Sequence, residues 1–347
     1  MKIYHIIFTF NIGGAETMLV DIANEQCKTD KVTICIIDDC INETLLSAIN
    51  LDVNVIRLGR KPRSQSLLPF VKLNVSIFRN KPDVVHIHNW QTPRVLLPWI
   101  KPFFTVHGLD RPATYYKRLK GIIAISDAVK DDVKHRGDFP VTVIPNGIEV
   151  NLLSKKERLV RTDTFRIVQV GRLRTELKGQ DLLIDAIAKL KEKGVTNISV
   201  DIIGDGESKN DLVEQIERLG VQEQVQLLGG KSRNQLYETL CDYDLLCQPS
   251  RKEGFGLTVA EAMVARVPVL VSNTGGPYEI IEGGKFGFYF KSEDPASCAD
   301  AIQSIMESYG NAEMIKKTDE ACNKAVNEYS INQMVRQYRA YYLERNR

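Results

Sequence analysis

The chain has no run of about 18 apolar residues, the length a helix needs to cross a bilayer, so an integral membrane protein is not expected. It is also sparing with cysteine: seven residues (27, 35, 40, 241, 247, 298 and 322) lie scattered through apolar stretches, with no Cys-x-x-Cys spacing. An odd, unpaired set of this kind argues against a disulfide scaffold and against zinc or dithiol chemistry, and fits a reducing cytoplasm. Low-complexity tracts are lacking, which leaves no long disordered region to expect. The opening Met1 to Phe10 stretch is apolar, but it is short, is interrupted by His5 and has no small-residue cleavage site after it; it reads as a buried strand rather than a secretory leader. That strand is followed by Gly13-Gly14 and not by G-x-G-x-x-G, which disfavours an NAD-dependent dehydrogenase.

What is present is the composition of a globular protein of about two domains: 347 residues, 43% apolar and 26% charged. The net charge of +2 conceals an asymmetry. Residues 57–120 hold thirteen Lys or Arg against two acids, Asp83 and Asp110, so this segment is +11 and the remainder −9. Short Val- and Ile-rich runs without polar alternation recur at Val32–Ile37, Val53–Ile56, Val84–Ile87, Phe103–Val106, Gly121–Ile125 and Val141–Ile144, with an amphipathic stretch at Glu16–Cys27. Such runs suit strands buried on both faces of a parallel sheet. A polar stretch at 151–163 interrupts the rhythm, which then resumes at Phe165–Val170, Ile198–Ile203, Val225–Leu228, Tyr243–Cys247 and Val267–Val271. Helical patterns lie between them at Gln180–Lys191, Ser208–Leu219 and Val259–Ala265. The expectation is α/β: two Rossmann-like doubly wound domains, 1–155 and 160–330, with a final helix at 331–347 packing back on the first.

The most specific segment runs from Ser250 to Met263 and reads SRKEGFGLTVAEAM. A strand ending near Pro249 leads through Glu253-Gly254-Phe255-Gly256 into a helix beginning near Gly256, whose free N–H groups attract phosphate. Glu253 and Glu261 are eight positions apart, about 12 Å if the whole interval were helical. Two glutamates so spaced are more often solvated helical acids, and in isolation the bland reading is favoured. Earlier lies Val170-Gly171-Arg172-Leu173 followed by Lys178-Gly179-Gln180-Asp181, a strand end with two cations able to neutralise a leaving diphosphate. Either cation alone reads as a surface ion pair with Glu176 or Asp181.

Together these segments resemble family four of the retaining glycosyltransferases, which has the two-domain GT-B fold, and the resemblance extends over nearly the whole chain. It implies two Rossmann-like domains facing a central cleft, with the acceptor on the first and a nucleotide sugar, by preference a UDP-sugar, on the second. It implies that Glu253 contacts the donor sugar near its reacting carbon, that Glu261 binds the ribose hydroxyls, and that Arg172 and Lys178 clamp the diphosphate. Gly254, Phe255, Gly256 and Leu257 complete that donor segment. The spacing from Arg172 to Lys178 is one residue longer than the family's commonest, which puts the placement of Lys178 in question. Gly13 and Gly14 match the family's donor-closing loop, and His107 matches a histidine near the anomeric carbon. For His107 a backbone-satisfied capping histidine is an equal reading of the residue alone. The resemblance also implies that Gly204-Asp205-Gly206 borders the base, with Glu207 standing where the family often has proline. Ile125-Ser126-Asp127, Ile144–Glu149 and Gly275–Glu279 also match, although each alone is ordinary turn chemistry.

His86 and His88 alternate on one strand and face one side, but without a third ligand they make a poor zinc site. His88 is expected to border the acceptor and His86 to be packed. The resulting expectation is a metal-independent, cofactor-free hexosyl- or N-acetylhexosaminyltransferase acting in bacterial surface polysaccharide or glycan synthesis, with a saccharide acceptor that is lipid-linked in many relatives. A non-catalytic sugar-nucleotide-binding subunit is the alternative. The basic segment 57–120, interleaved with Leu67, Leu68, Phe70, Val71 and Phe78, suits peripheral attachment to an anionic inner membrane face. A solvated basic face over core residues is the bland reading. No nucleic-acid partner is expected, because no recognition fold or base-stacking pattern accompanies the charge.

Overall fold

The computed structural model describes residues 1–11 and 13–346; Ile12, inside the Asn11–Glu16 motif, and Arg347, at the end of the expected last helix, lie outside the described residues. The chain divides into two compact units, residues 1–147 with 330–347, and residues 148–329. The polar stretch 151–163 thus belongs to the second unit.

The first unit is built on strands β1 (Lys2–Ile7), β2 (Lys31–Asp38), β3 (Asn54–Arg60), β4 (Val84–Ile87), β5 (Phe103–Val106), β6 (Gly121–Ala124) and β7 (Val141–Val143). They form one parallel sheet in the order β3-β2-β1-β4-β5-β6-β7. Its helices are α1 (Gly14–Gln26), α2 (Glu43–Ser47), α3 (Leu68–Asn80) and α4 (Asp127–His135). In β2 every residue after Lys31 is buried, the signature of a strand covered on both faces. Ser126 of the Ile125-Ser126-Asp127 motif caps α4, its hydroxyl accepting from the Val129 N–H at 3.1 Å.

The second unit carries β8 (Phe165–Val170), β9 (Ile198–Ile203), β10 (Val225–Gly229), β11 (Leu245–Gln248), β12 (Val269–Ser272) and β13 (Phe288–Phe290) in the parallel order β10-β9-β8-β11-β12-β13. Its helices are α5 (Thr175–Lys178), α6 (Gln180–Glu192), α7 (Lys209–Arg218), α8 (Arg233–Thr239), α9 (Leu257–Val264), α10 (Gly275–Ile280), α11 (Pro295–Ser308) and α12 (Ala312–Glu328). Leu183, Ile184, Ile187 and Leu190 of α6 pack with Ile167, Val200 and Ile202 of the sheet and Ile302 of α11 in one core. Each such side chain stabilises the unit by roughly 1.5–3 kcal/mol through removal from water.

The chain then re-enters the first unit as α13 (Ile331–Asn346), which buries Met334, Tyr338, Tyr341 and Tyr342. The Gly147 Cα lies against Ile331, where a Cβ would come within 2.5 Å of its Cα.

In each sheet the strand order reverses once, between β1 and β4 and between β8 and β11. A ligand of a doubly wound sheet sits outside the carboxyl ends at such a switch point.

Candidate active site

The second unit's switch point lies where Gly171 follows β8 and Pro249-Ser250 follow β11. Glu253 is fixed there by three donors. Lys178 Nζ donates to its Oε1 at 2.5 Å, while Ser250 Oγ at 2.8 Å and Gln248 Nε2 at 3.2 Å donate to its Oε2. The Lys178 and Glu253 side chains are 23% and 13% exposed, so the pair is partly withdrawn from water yet still reachable. Residues 175–178 form one helical turn closed by the left-handed Gly179. That turn brings Lys178 to the carboxylate.

The ion pairs considered for the bland reading go to other partners. Asp181 accepts two hydrogen bonds from Arg251, at 2.6 and 2.9 Å, and Glu176 pairs with Arg174 at 2.8 Å. Arg172 is 70% exposed, and its Nε stands 3.7 Å from Glu207, the acid that replaces a proline. An exposed pair at that distance contributes little and leaves the guanidinium available.

Glu253 precedes α9, which begins at Leu257 with left-handed Gly256 as its N-cap and no side-chain cap. The interval from Glu253 to Glu261 is therefore only partly helical, and the figure of about 12 Å for a continuous helix does not apply. Uncapped N–H groups remain at the start of α9, where an anion is favoured. Glu261 is 7% exposed and is not the solvated helical acid of the bland reading. Its Oε1 accepts from the Tyr237 hydroxyl at 2.9 Å, and Arg233 Nε donates to that same hydroxyl at 2.8 Å. Burial and the neighbouring Glu261 carboxylate push the Tyr237 phenol far above its ordinary range, so it stays a donor. Tyr237 and Arg233 sit on a short helix with no linear link to the glutamate motif, and sequence reading missed them.

Two glycine clusters close this edge. At Gly204, with φ of +152°, a Cβ would fall 1.9 Å from the Gly171 carbonyl oxygen, so β8 and β9 meet backbone to backbone. Gly276 donates to the Glu253 carbonyl at 3.0 Å, and a Cβ there would lie 2.4 Å from the Phe255 Cα. The Gly204 and Gly275-Gly276 motifs thus pack directly on the Arg172 and Glu253 segments. Phe255 is itself buried and packs edge-on against Tyr329, with centroids 5.5 Å apart.

In the first unit Gly13 is the extended N-cap of α1 and Gly14 its first residue, again without a side-chain cap. Glu16, in the first turn, is held above the usual carboxyl range by burial. At the switch point Asn89 Oδ1 accepts from the Phe8 N–H at 2.8 Å. His107 follows β5, half-buried, with its Nε2 2.9 Å from His88 Nδ1. Burial and the Arg111 guanidinium lower it to about 4, so it is neutral. It is therefore bonded to a side chain, unlike the backbone-satisfied cap considered above. His88 is not at a border as expected but 5% exposed, and His86 is fully buried, bonded to Thr105 at 2.8 Å and to Tyr342. Among the described residues no three His, Cys, Asp or Glu are grouped to hold a metal.

A doubly wound unit with a lysine, an arginine and free helix amides at its switch point is an α/β unit of the kind that takes its ligands at the carboxyl edge of the sheet. Residues 152–324 match the glycosyl transferases group 1 family and residues 12–152 match glycosyltransferase family 4. This chain belongs to the group 1 glycosyl transferases. It is 29% identical over 275 residues to an uncharacterized glycosyltransferase of Methanocaldococcus jannaschii, covering 68% of this chain and 69% of that one. With the glycogen synthase of Mycobacterium tuberculosis it shares 26% over 255 residues, 65% of this chain and 61% of the other. Among solved structures it is similar to Anabaena HepE in complex with UDP (TM-score 0.80, 21% identity, 99% and 100% covered). A glycosyltransferase from Rickettsia africae is likewise similar (TM-score 0.83, 20% identity, 99% and 98% covered). These likenesses place the fold among the GT-B glycosyltransferases.

Proposed function

We propose that the chain transfers a hexosyl or N-acetylhexosaminyl group from a UDP-sugar to a saccharide acceptor with retention of anomeric configuration. The observation that carries this reading is the Lys178–Glu253 pair at the β8/β11 switch point, with the exposed Arg172 following β8 and the uncapped start of α9 following Glu253. The second unit holds the donor and the first the acceptor. When the diphosphate binds, Lys178 exchanges Glu253 for phosphate oxygens, and Arg172 and the α9 amides share the negative charge that grows as the glycosidic bond breaks. Gly254, Phe255, Gly256 and Leu257 supply that backbone, Gly13 and Gly14 close over the diphosphate, and Gly204 borders the base. Glu253, freed on one side and still oriented by Ser250 and Gln248, faces the sugar. Glu261, held by Tyr237, takes the ribose hydroxyls, and His107 contacts a sugar hydroxyl. The acceptor hydroxyl enters on the face the diphosphate leaves, which conserves configuration, and a leaving-phosphate oxygen takes its proton. No step calls for a metal. That HepE was solved with UDP supports the choice of base.

The acceptor in this reading is lipid-linked and the chain works at the inner membrane face, in bacterial surface glycan synthesis. No helix among the described residues is long and apolar enough to span a bilayer. On α3 and just before it, however, Leu67, Leu68, Val71, Val75 and Phe78 are exposed, and only Pro69, Leu73 and Ile77 are buried. Leu67, Val71, Val75 and Phe78 line a groove of about 650 Å³ together with Arg94, and Lys61, Arg63, Lys72, Arg79 and Lys81 of the same segment are exposed. Apolar residues on display beside cations support membrane contact over the reading in which those side chains are core.

The test is transfer by the purified chain across a panel of nucleotide sugars, with the product's anomeric configuration read by NMR and activity repeated in chelator. Retained configuration with undiminished rate in chelator is expected. An inverted product would rule out the mechanism.

A further inference from the structure

Behind His107 the first unit contains a continuous line of hydrogen-bonded side chains. Gln26, at the end of α1 and 1% exposed, presents Oε1 to His5 Nε2 at 2.7 Å. His5 Nδ1 lies 3.0 Å from His88 Nε2, and His88 Nδ1 lies 2.9 Å from His107 Nε2. The three rings come from β1 and from the ends of β4 and β5, neighbours in the sheet. A neutral imidazole has one N–H and one lone pair, so fixing either end of such a line fixes every proton in it. All three are neutral: burial lowers His5 and His107 to about 4 and His88 well below its ordinary value.

The fixed end is Gln26. Its carbonyl oxygen Oε1 is the atom turned to His5. Beside the line, His86 stacks on His88 with ring centroids 4.8 Å apart, bonds Tyr342 through Nδ1 and reaches the Thr105 hydroxyl through Nε2 at 2.8 Å. An amide oxygen only accepts, so His5 carries its proton on Nε2 and offers Nδ1 as an acceptor. His88 then donates from Nε2 and accepts at Nδ1, and His107 must donate from Nε2.

We infer that Gln26, His5 and His88 are positioning residues that lock His107 as its Nε2–H tautomer and leave Nδ1 as an acceptor for a sugar hydroxyl. The proton order rests on geometry alone; the identity of the hydroxyl rests on the transferase reading above. A fixed acceptor discriminates hydroxyl donors from groups that cannot donate, and an imidazole free to switch tautomer would not.

The experiment is long-range proton–nitrogen NMR on the full chain labelled with ¹⁵N-histidine, whose five histidines are assigned with single-site variants. At neutral pH, His5, His88 and His107 are expected as single Nε2–H tautomers. A His107 that carries its proton on Nδ1, or exchanges between forms, overturns the proposal. In Gln26→Met, whose side chain gives no directional cue, His107 should become a tautomer mixture, and Gln26→Glu, which still accepts, should restore the single form. A single Nε2–H form persisting in Gln26→Met would show that Gln26 does not set the order. His88→Leu should lower kcat about tenfold, the size of one lost hydrogen bond, with the KM for donor nearly unchanged. The wild-type spectra decide the proton order even if a variant fails to fold. The predicted tautomers in a chain that transfers no sugar would support the relay and refute the transferase reading instead.

Discussion

At the scale of single residues, the two glutamates are held in different ways, and their variants should differ accordingly. Glu253 touches a lysine, a serine and an amide, whereas Glu261 is tied to Tyr237. Glu253→Gln should depress kcat by about a hundredfold and leave UDP affinity nearly intact. Glu261→Gln and Tyr237→Phe should weaken UDP binding, each by about one hydrogen bond to a charged group, roughly 1.5–3 kcal/mol. Calorimetry with free UDP separates the cases, since equal UDP affinity in wild type and Glu261→Gln would remove Glu261 from the ribose site. Arg172→Ala and Lys178→Ala should each lower turnover at least about a hundredfold, as expected when a group that stabilises a developing anion is lost. Near-normal rates with saturating donor would sink that assignment. The buried histidines make a separate prediction about pH. His5 is lowered to about 4 by burial, and His86 and His88 lie well below the ordinary value. Above about pH 6.5 they are neutral folded or unfolded. As pH falls below that, the unfolded chain takes up protons that the folded chain refuses, so stability drops by roughly 1.4 kcal/mol per pH unit for each such histidine, down to the folded value near 4 for His5. Urea unfolding at pH 7.5 and 5 should show the loss, and equal midpoints would contradict it.

At the scale of elements, the buried strands were legible because their sequence is apolar on both faces, as in β2 and β8. Boundaries followed less well: the run expected at Val53–Ile56 became β3 over Asn54–Arg60, where Arg57 and Arg60 pair with Glu43 and Asp38. Strand β13 was overlooked because it is three residues long and its Tyr289 is exposed. Helices α11 and α12 were not singled out either, although both are announced by capping residues, Asp294 before Pro295 and Asn311. The glutamate, arginine and lysine segments could be read because they are contiguous. Tyr237, Arg233 and the histidine relay could not, because each depends on side chains that only the folded sheet or the packed helices bring together. The glycine contacts make their own prediction. Gly204→Val places a Cβ into the Gly171 carbonyl, and a clash of that kind costs about 1–3 kcal/mol or more. The melting temperature should fall by at least about 5 °C. An unchanged melt would show that β8 and β9 do not approach as described.

At the scale of the whole molecule, charge is distributed unevenly, and the uneven part coincides with α3. Sedimentation with liposomes should show binding that rises with anionic lipid and falls with salt, each cation near the surface contributing about 1 kcal/mol. Replacing both Val71 and Phe78 by Asp should abolish sedimentation without changing transfer to a soluble acceptor analogue. Equal recovery in the supernatant with neutral and strongly anionic vesicles at low salt would refute the attachment.

The return of the chain through α13 also has a consequence for biosynthesis. A ribosome completes the second unit, residues 148–329, before the residues that close the first unit have been made. Ile148 and Tyr329 are joined by a 2.7 Å backbone hydrogen bond, so the second unit enters and leaves at one place and has the topology of an insertion that can fold while the flanking sheet waits. Tyr338, Tyr341 and Tyr342 then fill the remaining core of the first unit, and Tyr342 also bonds the buried His86. The first unit is therefore the later of the two to mature, and a nascent chain halted after residue 329 would carry a finished second unit and a first unit still lacking the tyrosines of its core.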